Sequence, residues 1–478
     1  MKSLRLNKAH LTLLIFFQLT IFVFLLSVFL LVDCSPDVYR YILIAVFVEC
    51  VALSFIDKVD SIYKIFLFMM LVFNIALPIL EILDLYSYPA GNRIMIGDGI
   101  KTVVSDKTLA ETYQVLITMI IGASVGWLIG KYNFDRKNKQ HDGLISGAVL
   151  SIRYRNNIKF AFFVIAALVI YRNSLLVYYA TLYGYIDVMH LHSNNLEISG
   201  FFSLADILFK VSGFAVLFQS RNDKEYIKYA TLFMFPFFIQ AAAGARGETI
   251  TMLITVMFIY SQFFNKLKLK KIILVAVTLF LTSIFLGALR FSSDISAVFF
   301  DISIFNVVLY GIVSNASSMG VIAYTIQLKD QFFNSVPFLL GYIQGIFSLA
   351  PNYTYEGIQN KNYLAQHLIY VAAPAKLDRG STVGTAMGAE FYEFAGGSMA
   401  IIFILSVLLL YFAKYFISRL NRNVIMFYLG ALYFETLLLS PRGSIMKIFN
   451  KESLISMAVL ISFAILYKLI KRTKSKAL

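Results

Sequence analysis

Residues 11–32 read LTLLIFFQLTIFVFLLSVFLLV, a run with no charged side chain. At 1.5 Å of rise per residue, about 20 apolar residues carry a helix across a hydrocarbon core about 30 Å thick. The run is too long for the core of a signal peptide, and no clear small-residue cleavage site follows it. Lys2, Arg5 and Lys8 precede it, so it reads as a first membrane span whose N-terminus stays on the cytoplasmic side.

The pattern recurs along the chain. Of the 478 residues, 59% are hydrophobic and only 14% charged, with a mean hydropathy of +0.75, which excludes a water-soluble globular domain. Apolar stretches predict about twelve spans: 10–32, 39–56, 62–83, 113–130, 157–180, 201–219, 229–244, 248–264, 272–289, 397–413, 424–440 and 449–467. The expected fold is an all-α polytopic transmembrane bundle, one integral membrane domain over 1–478 with both termini in the cytoplasm. Its long outward-facing loop, 290–396, has apolar pieces at 297–328 and 336–350. It is expected to form short helices on the membrane, and the count rises to fourteen if two pieces cross.

The formal charge of +15 does not form a nucleic-acid-binding stripe. Segments that this topology places inside hold 27 of the 42 lysines and arginines, and outward segments hold 13. Cys34 and Cys50 lack metal-ligand spacing, and neither a phosphate-cradling glycine loop nor a paired-aspartate motif is present. No metal, cofactor or nucleic acid is expected.

Outward arginines at span ends run against that charge bias. Arg246 stands in Ala-Gly-Ala-Arg-Gly-Glu, Arg290 follows Leu-Gly-Ala-Leu, and Arg442 lies in Ser-Pro-Arg-Gly. Arg379, in Lys-Leu-Asp-Arg-Gly, precedes the return to the bilayer. Planar guanidinium groups bind phosphate oxygens bidentately and stay charged, so a diphosphate fits the set. Snorkelling to lipid phosphate is the competing account of each one alone.

Residues 380–397 pass from glycine, serine and threonine to Glu390 and Glu393, spaced i, i+3. Either carboxylate can serve as a base toward a sugar hydroxyl or pair an arginine in a helix packed through small residues. His367 is the only histidine of the long loop, a candidate base or hydrogen-bond donor, or a structural residue. Asp206 and Lys210 are spaced to neutralise each other within one helix.

These features together resemble the Wzy-type O-antigen polymerases, including the enterobacterial common antigen branch. The resembling parts are the Gly-x-Arg turn at Arg246, the span-to-loop junction at Arg290, the loop helix ending Ser-Leu-Ala-Pro at Pro351, the 380–397 return and Pro-Arg-Gly at Arg442. The resemblance implies a bacterial inner-membrane enzyme that joins undecaprenyl-diphosphate-linked oligosaccharides at the periplasmic face. It places Arg246 and Arg290 on the diphosphate, with Arg379 and Arg442 assisting. Glu390 or His367 would lie near the acceptor, and Glu393 would contact substrate. A chain-length-regulating membrane protein and a repeat-unit flippase are the partners it suggests. An O-antigen ligase and a flippase remain the alternatives, although the uneven loop distribution argues against the flippase.

Overall fold

The computed structural model describes residues 8–32, 34–56, 62–86, 93–96, 100–134, 152–183, 196–242, 246–264, 274, 278, 304–333, 336–348, 355–377 and 384–476. In chain order the helices begin with α1 (Lys8–Leu31), α2 (Pro36–Ile56) and α3 (Ile62–Ile82). A small antiparallel hairpin follows, β1 (Arg93–Ile96) with β2 (Ile100–Val103). Next come α4 (Asp106–Phe134), α5 (Ile152–Tyr183), α6 (Leu196–Phe218), α7 (Asp223–Ala242) and α8 (Arg246–Phe263). Within 290–396 the described residues form short helices: α9 (Ile304–Ala316), α10 (Ser318–Leu328), α11 (Gly341–Ile346), α12 (Tyr355–Lys361), α13 (Leu364–Ala372), α14 (Pro374–Leu377) and α15 (Met387–Phe394). The chain closes with α16 (Met399–Ile417), α17 (Val424–Leu439) and α18 (Lys451–Lys476).

The architecture is the expected all-α membrane bundle. Among the described residues seven helices are long and apolar enough to cross a bilayer: α1 to α4, the 156–179 part of α5, α16, and α17 with the turn that follows it. Four more of the expected twelve spans coincide with the helices α6, α7, α8 and α18, which have the length to cross a bilayer. The span expected at 272–289 lies outside the described residues apart from 274 and 278.

The chain divides into two compact units. The first comprises 1–140, 277–418 and 436–445, and is built around α4, whose most apolar window is 89% buried. Ser105 caps this helix: its Oγ accepts the Thr108 N–H at 3.1 Å. Thr108 in turn donates to Gln327 of α10 at 2.7 Å.

Glycines 122, 126 and 130 recur every four residues and so line one face of α4. A Cβ built on Gly122 would sit 2.8 Å from the Phe403 carbonyl oxygen, and one on Gly126 would sit 2.1 Å from that of Val407. The missing side chains are what let α4 and α16 touch backbone to backbone. Gly126→Leu should therefore force the helices apart, at a cost of about 1–3 kcal/mol or more. The measurable result is a melting temperature several degrees lower in detergent, and unchanged melting would refute this packing account.

In α3 the ladder widens to a π turn over Leu71–Ile75, with the Ala76 N–H donating to the Leu71 carbonyl. Pro78 explains the loosening, since it has no N–H to return to the Asn74 carbonyl. Asn74 uses its side chain elsewhere, donating from Nδ2 to the Pro441 carbonyl at 3.3 Å.

The second unit comprises 141–276, 419–435 and 446–478. Its core is aromatic: Phe162 stacks on Phe209 of α6, and Phe258 of α8 stacks on Phe434 at 4.2 Å between centroids. Asp206 and Lys210 do not neutralise each other. Asp206 pairs with Arg172 of α5 and Lys210 with Glu248 of α8, while Gln240 of α7 donates to the same carboxylate at 3.4 Å. Pairing between helices satisfies each charge inside the bundle and ties separate helices together, which an intrahelical pair would not do.

Candidate functional site

Residues 384–386 lead into α15, which begins at Met387 after an extended Ala386 at φ −138°. Gly388 fits because a Cβ there would lie 2.8 Å from Ile322 of α10 and 2.9 Å from Met119 of α4. The helix stops in a Schellman motif: Gly397 N–H reaches the Tyr392 carbonyl, Gly396 N–H that of Glu393, and Gly396 takes φ +57°. The Tyr392 hydroxyl donates to Glu111 of α4 at 2.9 Å. The small residues read in the sequence are thus the fittings of a short helix clamped between two longer ones.

This clamp buries Glu390, which is 1% exposed. Its Oε2 accepts the Ser444 hydroxyl at 2.6 Å and its Oε1 the Thr385 hydroxyl at 3.1 Å. Burial pushes the carboxyl up to about 8, against the opposing pull of those two hydrogen bonds and with the Glu393 carboxylate adding to the rise. Glu393, one turn on, accepts the Phe338 N–H at 3.0 Å and so anchors the loop before α11.

Ser444 comes from the turn after α17, and so does Arg442. Arg442 is exposed, donates from Nη1 to Asn315 Oδ1 of α9 at 2.8 Å, and lies over the Phe73 ring at 5.9 Å. A Cβ on Gly384 would meet the Arg442 carbonyl oxygen at 3.5 Å and its Cγ at 3.8 Å. The segment 384–386, which carries Thr385, therefore runs against the arginine. A buried carboxyl clasped by two hydroxyls and an exposed guanidinium share one neighbourhood, joined through Gly384 and Ser444.

His367 of α13 is fully enclosed, with the rings of Phe333 and Phe338 at 4.6 and 4.9 Å. Its Nε2 faces the Ile358 carbonyl at 3.2 Å, which makes Nε2 the donor and leaves the lone pair on Nδ1, a buried atom with no partner. Burial lowers its pKa to about 4, only partly offset by that hydrogen bond, so the ring stays neutral. Arg246 opens α8 in the second unit, two residues before Glu248. Arg290 and Arg379 lie outside the described residues.

Ser444, Asn315 and Asn74 are the site residues that sequence reading passed over. Only Ser444 had a signal, its position two residues after Arg442. The other two contact the site from helices more than a hundred positions away.

The fold and this site define a polytopic helical membrane protein with a buried acid and a surface-facing cation set in its loop region. The family model for the O-antigen polysaccharide polymerase Wzy matches residues 10–476, and the chain belongs to that family. It is accordingly a polysaccharide polymerase of the glycosyltransferase type, acting in a membrane. No curated protein and no solved structure matches it.

Proposed function

We propose that the chain polymerises undecaprenyl-diphosphate-linked oligosaccharide repeat units at the periplasmic face of the inner membrane. The observation that carries this reading is the Glu390 carboxyl held by Thr385 and Ser444 beside Arg442. An acceptor sugar hydroxyl gives its proton to the Ser444 oxygen as Ser444 passes its own to the ionised Glu390. The freed oxygen attacks the anomeric carbon of the donor glycan, the bond from that carbon to the phosphate oxygen breaks, and its electron pair leaves on the lipid diphosphate. Fixed positive charge at the departing oxygen lowers this barrier, because it strengthens as charge develops.

Arg442 supplies such charge in the first unit. Arg290 and Arg379 are the other arginines of this unit that the motifs suggest, Glu393 holds the loop against α15, and the enclosed, neutral His367 supports the aromatic packing around it. The excess of cations in the segments assigned to the cytoplasm supports an outward site with both termini inside. A chain-length-regulating membrane protein and a flippase that delivers repeat units are the fitting partners.

Deleting the gene and running the extracted glycolipid on a gel tests the reading. A single repeat unit on the lipid core is the expected product. Long chains left unattached to the core would instead make the protein a ligase, and accumulation on the inner leaflet would make it a flippase.

A further inference from the structure

Tyr342 and Tyr363 lie face to face in the first unit, 4.8 Å between ring centroids with a 34° tilt, each partly exposed. Their backbones are held firmly. Gly341 sits so close to the Asn362 carbonyl oxygen that a Cβ would come within 2.0 Å of it, and a Cβ on Gly345 would meet the Tyr363 hydroxyl at 2.4 Å. Asn362 itself takes φ +51°, an unusual conformation for a residue with a side chain, and its Nδ2 donates to the Val336 carbonyl. Strain of this kind persists only where the surroundings impose it, and it is found disproportionately at binding sites.

The same segment carries a second anomaly. The side-chain oxygens of Gln344, Asn362 and Gln366 are buried with no donor, and Gln366 is 5% exposed. These oxygens have almost no accessible surface, so they mark the tight closure of the backbone that carries the two rings. The pair also lies near the acid: burial, then the charge of Glu390, then Tyr363 hold the Tyr342 hydroxyl well above its ordinary range.

Resting on the reading of Glu390 as the base, we propose that Tyr342 and Tyr363 form a stacking platform for a pyranose ring of the acceptor glycan. The electron-rich ring face attracts the polarised C–H bonds on one side of a sugar and leaves the hydroxyls around its edge free to point away from the rings. The tyrosine hydroxyls are not needed for stacking; the rings are. A platform beside the base sets which hydroxyl is presented for attack, and so contributes to linkage specificity.

The test uses the full-length protein in lipid nanodiscs, with lipid-linked repeat unit extracted from cells lacking the gene, and follows polymer formed against substrate concentration. Tyr342→Leu/Tyr363→Leu, which keeps bulk and removes the aromatic faces, should raise the half-saturating concentration about tenfold while the maximum rate stays within about threefold. Tyr342→Phe/Tyr363→Phe should leave both within about twofold. If the double leucine variant does not fold, Tyr342→Leu against Tyr342→Phe makes the same comparison. An unchanged half-saturating concentration in the leucine variants, or an equal loss in the phenylalanine ones, overturns the platform. Glu390→Gln, run in parallel, should lose maximum rate at unchanged half-saturation. Full rate there sinks the base assignment, while the leucine-against-phenylalanine contrast is still read on its own.

Discussion

Glu390→Gln should reduce polymer formation by about 10²–10⁴-fold, the range that a positioned base contributes, while the protein still reaches the membrane in normal amount. Glutamine keeps the shape of the side chain and its carbonyl oxygen can still accept from Ser444 or Thr385, so the clasp survives while the proton acceptor is lost. The buried carboxyl has its pKa near 8, so in the wild-type protein the rate should climb as pH rises from about 6 to about 9 and the ionised fraction grows. Stability moves the opposite way. Between the ordinary carboxylate range and about 8 the folded state keeps a proton that the unfolded chain has released, so the stability conferred by the neutral buried acid is full at low pH and is lost as pH rises through about 8. In Glu390→Gln that decline should vanish. A wild-type melting temperature that does not fall over this interval would contradict the burial of the acid.

Arg442→Ala is expected to be nearly as damaging, at about 10²–10³-fold in maximum rate, because it removes a preorganised donor from the leaving oxygens. Arg442→Lys should recover only part of the loss, since an ammonium is a point charge and cannot match two phosphate oxygens in the plane of a fork. The Asn315 amide and the Phe73 ring steady the guanidinium stem and head, so Asn315→Ala should give a milder version of the same defect. The readout is chain length on the extracted glycolipid, with single-unit capping and expression as controls. Arg246→Ala should likewise abolish long chains. Normal ladders in both arginine variants would remove the diphosphate from this account.

The membrane bundle was legible because an apolar run of about 20 residues needs no tertiary information to be recognised. Helices α6 to α8 show where that legibility thins. Charged residues stand among the apolar ones of these helices and of α5, and only the structure shows that Arg172 meets Asp206 and Lys210 meets Glu248 across helices. Spacing suggested a pair within one helix; packing chose partners up to 38 positions apart, since Lys210 meets Glu248. Glu390 was visible as a carboxylate in an odd stretch, but its clasp by Ser444, 54 residues later, depends on a turn meeting a helix across the fold. His367 was visible as a lone histidine, and its three phenylalanine neighbours were not. Short motifs name the chemistry that is available, while contacts between distant segments decide which atoms are wet, paired or closed.

The backbone contact between α4 and α16 has a mechanical meaning for a reaction that repeats. Because α15 runs through its glycine turn directly into α16 and is bolted by Tyr392 to α4, the acid stands on the stump of a two-helix pillar with no lubricating side chains along Gly122, Gly126 and Gly130. On the proposed reading of Glu390 as the base, each round of elongation would pull a bulkier glycan past the same point. A rigid anvil there would let the sugar do the moving, so that every new bond would be struck at the same place regardless of how long the chain behind it has grown.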